Sequence, residues 1–304
     1  MRSAILVLLG AVLFGTTGTA QTFAPAGVAP LSIGAARIGF GGLVLFAIGC
    51  WSWWRRRRDG GRLGWPGWPA ALAVAAGASA VCLYQGVFFA GTRANGVMVG
   101  TVLALGSSPL FCGLFEWLVL RRRVTSRWVA ATALAVAGLV ALSWTTTGQE
   151  RVDPVGVVLS LTAGASYGVL AVTTKWLLDH SWRPADAAAA TMGLASAIGF
   201  VMLATTDTSW LAQPNGMAVT AWLALATIVA AYLLEVTGMT GLSAASATTL
   251  NLAEPATATV LGVAILREAL TGLRALGLAA VAAGVVIAGW PSRELPRNPQ
   301  GIPS

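Results

Sequence analysis

Long apolar runs alternate with short polar connections along the chain, a pattern typical of a protein that crosses a lipid bilayer several times. An α-helix needs about 20 residues to span the hydrocarbon core, and each run is close to that length. Only 10% of the residues are charged, against roughly 25% in soluble domains. We predict an all-α integral membrane protein with ten transmembrane helices, over residues 3–23, 31–54, 68–91, 96–120, 127–145, 154–178, 185–206, 216–238, 243–266 and 271–290.

Two segments of the chain, Thr101–Trp144 and Ala247–Trp290, align without a gap. Each has a proline that is predicted to break the helix of one apolar run (Pro109 and Pro255), then an arginine-containing turn, then a second run that ends at tryptophan. Such self-similarity indicates an internal duplication. Five predicted helices precede the polar segment Thr145–Asp153 and five follow it, so the second copy enters the membrane from the opposite side. The two copies are therefore predicted to be inverted repeats, which commonly enclose the substrate site of a transporter.

The repeats also define the predicted organisation of the chain. We expect a first five-helix repeat over residues 1–145, a linker over 146–153, a second repeat over 154–292, and a disordered cytoplasmic tail over 293–304. The first run also resembles a signal peptide, because an apolar stretch precedes small residues at 18–20. However, Phe14-Gly15 resembles Tyr167-Gly168 in the sixth run, and removing the first run would make the halves unequal. We expect the first helix to be retained.

Nine of the 19 basic residues cluster at the second and fourth connections, at Arg55–Arg58, Arg62, Arg121–Arg123 and Arg127. Positive residues concentrate on the cytoplasmic side of membrane proteins. With ten helices, this bias predicts that both termini are cytoplasmic in a multi-pass inner-membrane protein. The net charge of +8 is a weak sign of nucleic-acid binding here, because anionic lipid accounts for arginines at helix ends.

Few residues are suited to metal binding or catalysis. His180 is the sole histidine and falls in a predicted connection, and the cysteines (Cys50, Cys82 and Cys112) fall inside apolar runs. This spacing matches no disulfide framework or metal motif, so we expect no metal and no cofactor. Apart from Asp186 at the very start of the seventh span, no Asp lies inside a predicted span. A membrane-embedded enzyme is therefore disfavoured, whereas a membrane sensor without transport activity stays open.

Glu254 is the ionisable residue nearest the middle of a predicted span. Charged groups within a span are costly and are functional candidates by default. Pro255 removes a backbone donor, and backbone freed in lipid must find a partner or line a wet cavity. Glu254 is predicted either to bind a proton or a substrate ammonium, or to satisfy the broken backbone beside Asn251. The first copy has neutral residues at the matching place, Ser107, Ser108 and Pro109.

Several other polar residues are candidates for the same cavity. Arg37 lies about two turns into the second helix and is suited to bind a carboxylate with both arms, or to reach the outer interface. Tyr84, Gln85 and Tyr232 precede the two proline sites by similar distances. They are predicted either to line the cavity or to form hydrogen bonds between helices.

Three further charged residues are predicted to have structural roles. Glu235 and Lys175 fall within a turn of predicted cytoplasmic helix ends, so solvated or snorkelling positions are favoured for both. Glu116 closely precedes Arg121–Arg123 and is expected to pair with these arginines.

The chain resembles the EamA family of the drug/metabolite transporter superfamily. The resemblance is carried by Leu252-Ala253-Glu254-Pro255, followed by Leu266-Arg267-Glu268-Ala269-Leu270-Thr271, Gly277 and Ala283-Gly284-Val285. Arg37 also lies where this family commonly has an arginine in its second helix. Arg122 departs from the pattern, because the family often has a glutamate there.

The resemblance implies a membrane carrier that works by alternating access, most often an exporter of amino acids, related metabolites or drugs. The implied partners are a small-molecule substrate, the lipid bilayer and a proton as the candidate coupling ion. Whether the protein is a monomer or a homodimer stays open. A nucleotide sugar or another phosphorylated metabolite is the alternative substrate class, but it requires more cations in the cavity than Arg37 and Lys175 supply.

Overall fold

The computed structural model describes residues 1–58, 67–143, 153–265, 267 and 270–290. Within these ranges all regular secondary structure is helical. Eight long helices come first: α1 (Arg2–Gln21), α2 (Pro30–Arg58), α3 (Gly67–Gly96), α4 (Val99–Leu120), α5 (Ser126–Ser143), α6 (Pro154–Asp179), α7 (Pro184–Ala204) and α8 (Pro214–Gly241). Two short helices follow, α9 (Ala244–Leu250) and α10 (Ala253–Ala264), and then a last long one, α11 (Gly272–Gly289).

The predicted all-α membrane architecture is confirmed. Nine helices of the described ranges are long and apolar enough to cross a membrane, and α9 and α10 together fill the place of the ninth predicted span. Many large apolar side chains on these helices are exposed, among them Leu9, Phe46 and Val201. Such surfaces suit contact with lipid. The tail, Trp144 and the predicted linker other than Asp153 lie outside the described residues.

Helices α3 and α4 join almost directly, so the third and fourth predicted spans have only a tight kink between them. Gly96 at this junction has φ 74° and ψ 158°. A side chain disfavours positive φ, whereas glycine tolerates it. The glycine therefore allows the two helices to join at this kink without a loop.

The aligned segments have matching local structure at the ends of their helices. Arg121 and Arg267, which align with each other, both adopt positive φ, of 55° and 56°. Further along, the hydroxyl of Thr125 accepts a hydrogen bond of 3.2 Å from the N–H of Trp128. The hydroxyl of Thr271 accepts one of 3.3 Å from the N–H of Arg274. Both threonines thus cap the helix that follows, as expected for duplicated units.

The first half of the chain, α1–α5, packs closely against the second half, α6–α11. Helix α1 packs against α8 and α10 of the second half, and α6 packs against α3 and α4 of the first half. Further contacts between the halves pair α2 with α7 and α8, and α5 with α11. Each half therefore places its first helix against the other half, and residues of α1, α2, α6 and α10 meet where the halves join.

Glycines permit the close approach of α5 and α11. A Cβ atom on Gly138 would lie 2.6 Å from the backbone nitrogen of Val281, and one on Gly277 would lie 2.7 Å from that of Leu142. Small residues at such crossings allow the backbones of membrane helices to come into contact. The pair α5–α11 is therefore held by direct packing of the two backbones.

Candidate functional site

The first proline of the repeat lies inside an unbroken helix. Pro109 is part of α4, which is continuous from Val99 to Leu120. A proline has no N–H to give to the carbonyl four residues earlier, which here belongs to Leu105. The hydroxyl of Ser108 donates to that carbonyl at 2.8 Å. The helix break expected at Pro109 is therefore wrong, because a neighbouring side chain satisfies the freed acceptor.

The second proline lies beside a real break. Helix α9 ends at Leu250 and α10 begins at Ala253, two residues before Pro255. The carbonyl four residues before Pro255 belongs to Asn251, and it accepts a tight-turn hydrogen bond of 2.9 Å from the N–H of Glu254. The ninth span thus opens at Asn251, and Glu254 lies in the first turn of α10.

A polar cluster of three side chains surrounds the break. The hydroxyl of Tyr167 donates to Oε1 of Glu235 at 2.8 Å. The amide nitrogen of Asn251 donates to the same Oε1 at 2.6 Å and to the Tyr167 hydroxyl oxygen at 2.5 Å. These residues come from α6, α8 and the α9–α10 junction. The cluster therefore ties the broken span to two neighbouring helices of its own half.

The burial of this cluster differs from the sequence prediction. Glu235 is 4% exposed and Asn251 is 7% exposed. The solvated position expected for Glu235 is wrong, because α8 continues to Gly241 and Glu235 lies well inside it. Tyr167 was not predicted as a site residue, although its pairing with Phe14 in the repeat comparison had pointed to its position. The side-chain oxygen Oδ1 of Asn251 has no hydrogen-bond partner among the described residues.

Two opposite charges from different halves lie close to this cluster. Arg37 of α2 and Glu254 of α10 are both half-buried and lie against the same stretch of α1, where Arg37 contacts Thr17 and the backbone of Glu254 packs against Gly15. They do not form an ion pair, because no guanidinium nitrogen of Arg37 lies within 4.0 Å of a carboxylate oxygen of Glu254. Nη1 of Arg37 donates to the Thr17 hydroxyl at 3.4 Å. Its Nε is buried without a hydrogen-bond partner in the described ranges.

Aromatic rings border the two charges. The ring of Tyr84 lies 5.4 Å from that of Phe88 and 6.1 Å from that of Tyr167, measured between centroids. Tyr84 is also within electrostatic reach of both Arg37 and Glu254. A half-buried polar surface between α2, α3, α6 and α10 is formed by Arg37, Tyr84, Tyr167 and Glu254. We call this surface the central site.

The other predicted residues lie around the central site with contacts of their own. Gln85 is buried, and its amide packs against Gly34 of α2. The hydroxyl of Tyr232 forms a hydrogen bond of 3.1 Å with that of Thr174. Ser107 and Ser108 donate to carbonyls one turn earlier in α4. These two serines are therefore occupied by their own helix.

A second charged network joins the halves at one end of the bundle. Glu116 in α4 is 2% exposed, and it accepts hydrogen bonds of 3.3 and 2.8 Å from the N–H groups of Ala244 and Ala245 at the start of α9. Arg122 lies 3.9 Å from Glu116 and 2.8 Å from Asp179 at the end of α6. The expected pairing of Glu116 with an arginine is thus secondary to its bonds with the helix N-terminus.

Lys175 completes this network, which we call the end latch and define as Glu116, Arg122, Lys175 and Asp179. The ammonium group of Lys175 donates to the carbonyl of Met239 at 2.9 Å and lies 3.4 Å from Asp179. Lys175 is only 4% exposed, so the snorkelling position expected for it is wrong. Its charge is satisfied within the latch. Among the described residues, no cluster of His, Cys, Asp and Glu is arranged to hold a metal ion.

Comparison with known proteins identifies the family. The model of the EamA-like transporter family matches the chain twice, over residues 1–144 and 154–290. The chain is 36% identical over 285 residues to an uncharacterized transporter, YwfM, of Bacillus subtilis, covering 93% of this chain and 92% of the relative. It is 34% identical over 194 residues to the threonine/homoserine exporter RhtA of Salmonella typhimurium, covering 62% and 61%.

A solved crystal structure shares the fold. It covers 94% of this chain and 96% of its own, with a TM-score of 0.75 and 19% sequence identity. At that identity the likeness concerns the fold alone. The two matches to the family model contain α1–α5 and α6–α11, and they include the residues of the central site. The chain belongs to the EamA-like transporter family and is a multi-pass membrane protein.

Proposed function

We propose that this protein is a secondary transporter that exports small amino-acid-like metabolites by alternating access between inverted halves. The observation that carries the proposal is the pair Arg37 and Glu254, two opposite charges from different halves that lie against the same stretch of α1 without forming an ion pair. A zwitterion carries complementary charges, so its carboxylate fits the guanidinium and its ammonium fits the carboxylate. The relative named as a threonine/homoserine exporter supports this substrate class.

The surroundings of the pair favour recognition of a small molecule. A guanidinium offers several donors in a fixed plane, and in the described ranges Arg37 donates only to Thr17. Glu254 accepts no hydrogen bond from a described side chain or backbone group. Polar groups inside a membrane protein are costly unless satisfied. A bound substrate would satisfy both groups at once and would exclude water from them.

The end latch supports the alternating-access part of the proposal. It connects α4 and Arg122 of the first half to α6 and α9 of the second half. We place this end in the cytoplasm, because the arginine-rich connections lie there. With the latch formed, the halves are held together at the cytoplasmic end. Substrate entry from the cytoplasm would require its contacts to separate.

A phosphorylated substrate is less well supported. A nucleotide sugar carries two negative charges on its phosphates and would need several free cations. Lys175 is engaged by Met239 and Asp179, so Arg37 is the described cation that remains beside Glu254. The balance of one positive and one negative group fits a zwitterion better.

Counterflow in proteoliposomes tests the proposal. Purified protein would be reconstituted with a panel of unlabelled amino acids inside the vesicles, and uptake of each labelled amino acid would be followed. Glu254→Gln should reduce exchange by about 10- to 100-fold, because a charged hydrogen bond to the substrate is lost. Asp207→Asn is the control, since Asp207 is exposed in the α7–α8 connection. Full exchange by Glu254→Gln, with an unchanged pH profile, would contradict the proposed role.

A further inference from the structure

The end of α2 has four consecutive arginines with two different structural roles. Arg56 forms a two-armed ion pair with Asp186 at the start of α7, with both nitrogen–oxygen distances at 2.8 Å. This pair joins α2 to α7. The other three, Arg55, Arg57 and Arg58, are exposed. Their charges are therefore available to a partner outside the bundle.

Each exposed arginine lies over a tryptophan one turn earlier. The guanidinium carbon of Arg55 is 4.1 Å from the ring centroid of Trp51. The corresponding distances are 4.2 Å for Arg57 over Trp53 and 5.6 Å for Arg58 over Trp54. A cation over an aromatic face is attracted to it, so the rings hold the guanidinium groups in place along the helix.

The exposed face of α2 is apolar along the span and becomes cationic towards the C-terminal end of the helix. At about 100° per residue, Phe40, Leu43, Trp51, Trp54 and Arg58 fall within an arc of roughly 80°. All four apolar and aromatic members are exposed, with Trp51 at 55% and Trp54 at 53%. A molecule that covers this stripe must be apolar along the span, amphipathic at the tryptophans and anionic at the arginine end.

Arg55 and Arg58 are neighbours at this end, because residues three apart lie side by side on a helix. Arg55 lies about 60° around the helix from Arg58, whereas Arg56 lies on the opposite side, towards α7. Two adjacent guanidinium groups present paired donors that match the oxygens of a phosphate. Tryptophan rings prefer the headgroup level of a bilayer, which is the depth of a phospholipid phosphate.

We propose that Trp51, Trp54, Arg55 and Arg58 form a binding site for an anionic phospholipid. The phosphate contacts the two guanidinium groups, the glycerol region lies against the two indole rings, and an acyl chain covers Leu43 and Phe40. Arg57 over Trp53 faces a different direction and adds a weaker contact. The site discriminates anionic from zwitterionic lipids, because a choline headgroup places a positive charge near the arginines.

Native mass spectrometry of the purified full chain tests this site. The protein would be titrated with phosphatidylglycerol or with phosphatidylcholine of the same acyl chains. We expect Arg55→Gln/Arg58→Gln to weaken phosphatidylglycerol binding by roughly thirtyfold, from about fivefold per arginine. The matched control is Arg121→Gln/Arg123→Gln, which removes two exposed arginines that lie over no tryptophan in the described ranges. This control should keep most of the binding.

Two further arms separate the lipid site from simpler explanations. Trp51→Leu/Trp54→Leu retains every charge and should still weaken binding by about fivefold, because both cation–π contacts are lost. Soluble glycerol phosphate should fail to compete at equal concentration, since it lacks the acyl chain. Equal losses in the two arginine double variants would overturn the proposal, as would competition by glycerol phosphate. Equal binding of the two lipids by the unmodified protein would overturn it too.

Discussion

The carboxylate of Glu116 accepts a hydrogen bond of 2.8 Å from the backbone N–H of Ala245, and so connects α4 of the first half to the start of α9 in the second. The first N–H groups of a helix have no partner within the helix. Glu116 supplies an acceptor to two of them, at Ala244 and Ala245. It therefore acts as a cap contributed by the opposite half of the molecule.

Replacing Glu116 by alanine should destabilise the protein. Two buried N–H groups would lose their acceptor, which costs about 1–3 kcal/mol. Glu116→Gln keeps one acceptor oxygen and should lose less. Thermal unfolding in detergent, followed by the intrinsic tryptophan fluorescence, measures both. A Glu116→Ala midpoint equal to that of the unmodified protein would show that the cap does not stabilise α9.

Weakening the end latch should make Cys112 more accessible. Cys112 is fully buried, one turn before Glu116 in α4, so its thiol reports on separation of the halves. In a background with Cys50→Ser and Cys82→Ser, Arg122→Gln should react several-fold faster with a small maleimide, because the 2.8 Å contact with Asp179 is lost. The neighbouring Arg123→Gln should leave the rate unchanged. Equal rates in all variants would argue against a latch.

A methyl group at Gly138 should force α5 and α11 apart. Its Cβ would lie 2.6 Å from a backbone nitrogen of α11, and overpacking of this kind costs about 1–3 kcal/mol. Gly86→Ala in α3 is the matched control, because a Cβ there has no neighbour within 4 Å. That control should be neutral or slightly stabilising. The unfolding midpoint should therefore fall in Gly138→Ala and stay constant or rise in Gly86→Ala, and a matching drop in both would refute close backbone packing as the cause.

Removing the hydroxyl of Tyr167 should loosen the helix break. Tyr167→Phe deletes the 2.8 Å donor to Glu235 and the acceptor for Asn251, at a cost of about 1–3 kcal/mol. Tyr84→Phe is the comparison, since the Tyr84 hydroxyl forms no hydrogen bond with any described residue. Hydrogen exchange at the α9–α10 junction should rise in Tyr167→Phe and stay constant in Tyr84→Phe. The same exchange in both would mean that the cluster does not hold the junction.

The helices follow from the sequence because an apolar run of bilayer length has few alternatives to an α-helix. The duplication also predicted equivalent turns, and Arg121 and Arg267 adopt the same unusual backbone conformation. The role of Pro109 did not follow in the same way. The helix continues through Pro109 because the Ser108 side chain adopts a rotamer that donates to a carbonyl within the helix instead of pointing towards a cavity.

The position of Glu235 shows a second limit of sequence reasoning. An acid near the end of an apolar run can be solvated or buried, and a helix boundary that shifts by three residues decides between them. Here α8 continues to Gly241, and the partners of Glu235 come from residues far away in sequence, Tyr167 and Asn251. Tertiary contacts of this kind leave no local pattern. The sequence still marks Glu235 as a residue of interest, since charged residues in a span are functional candidates.

The central claim is that Arg37 and Glu254 bind the two ends of a zwitterion, and substrate analogues test it most directly. Counterflow in proteoliposomes would compare a transported amino acid with its amide, which lacks the carboxylate, and its N-acetyl derivative, which lacks the ammonium. The unmodified protein should prefer the amino acid to both by about 10- to 100-fold. Arg37→Gln should lose the preference over the amide alone, and Glu254→Gln the preference over the N-acetyl derivative alone. Equal effects of both variants on both analogues would contradict the account.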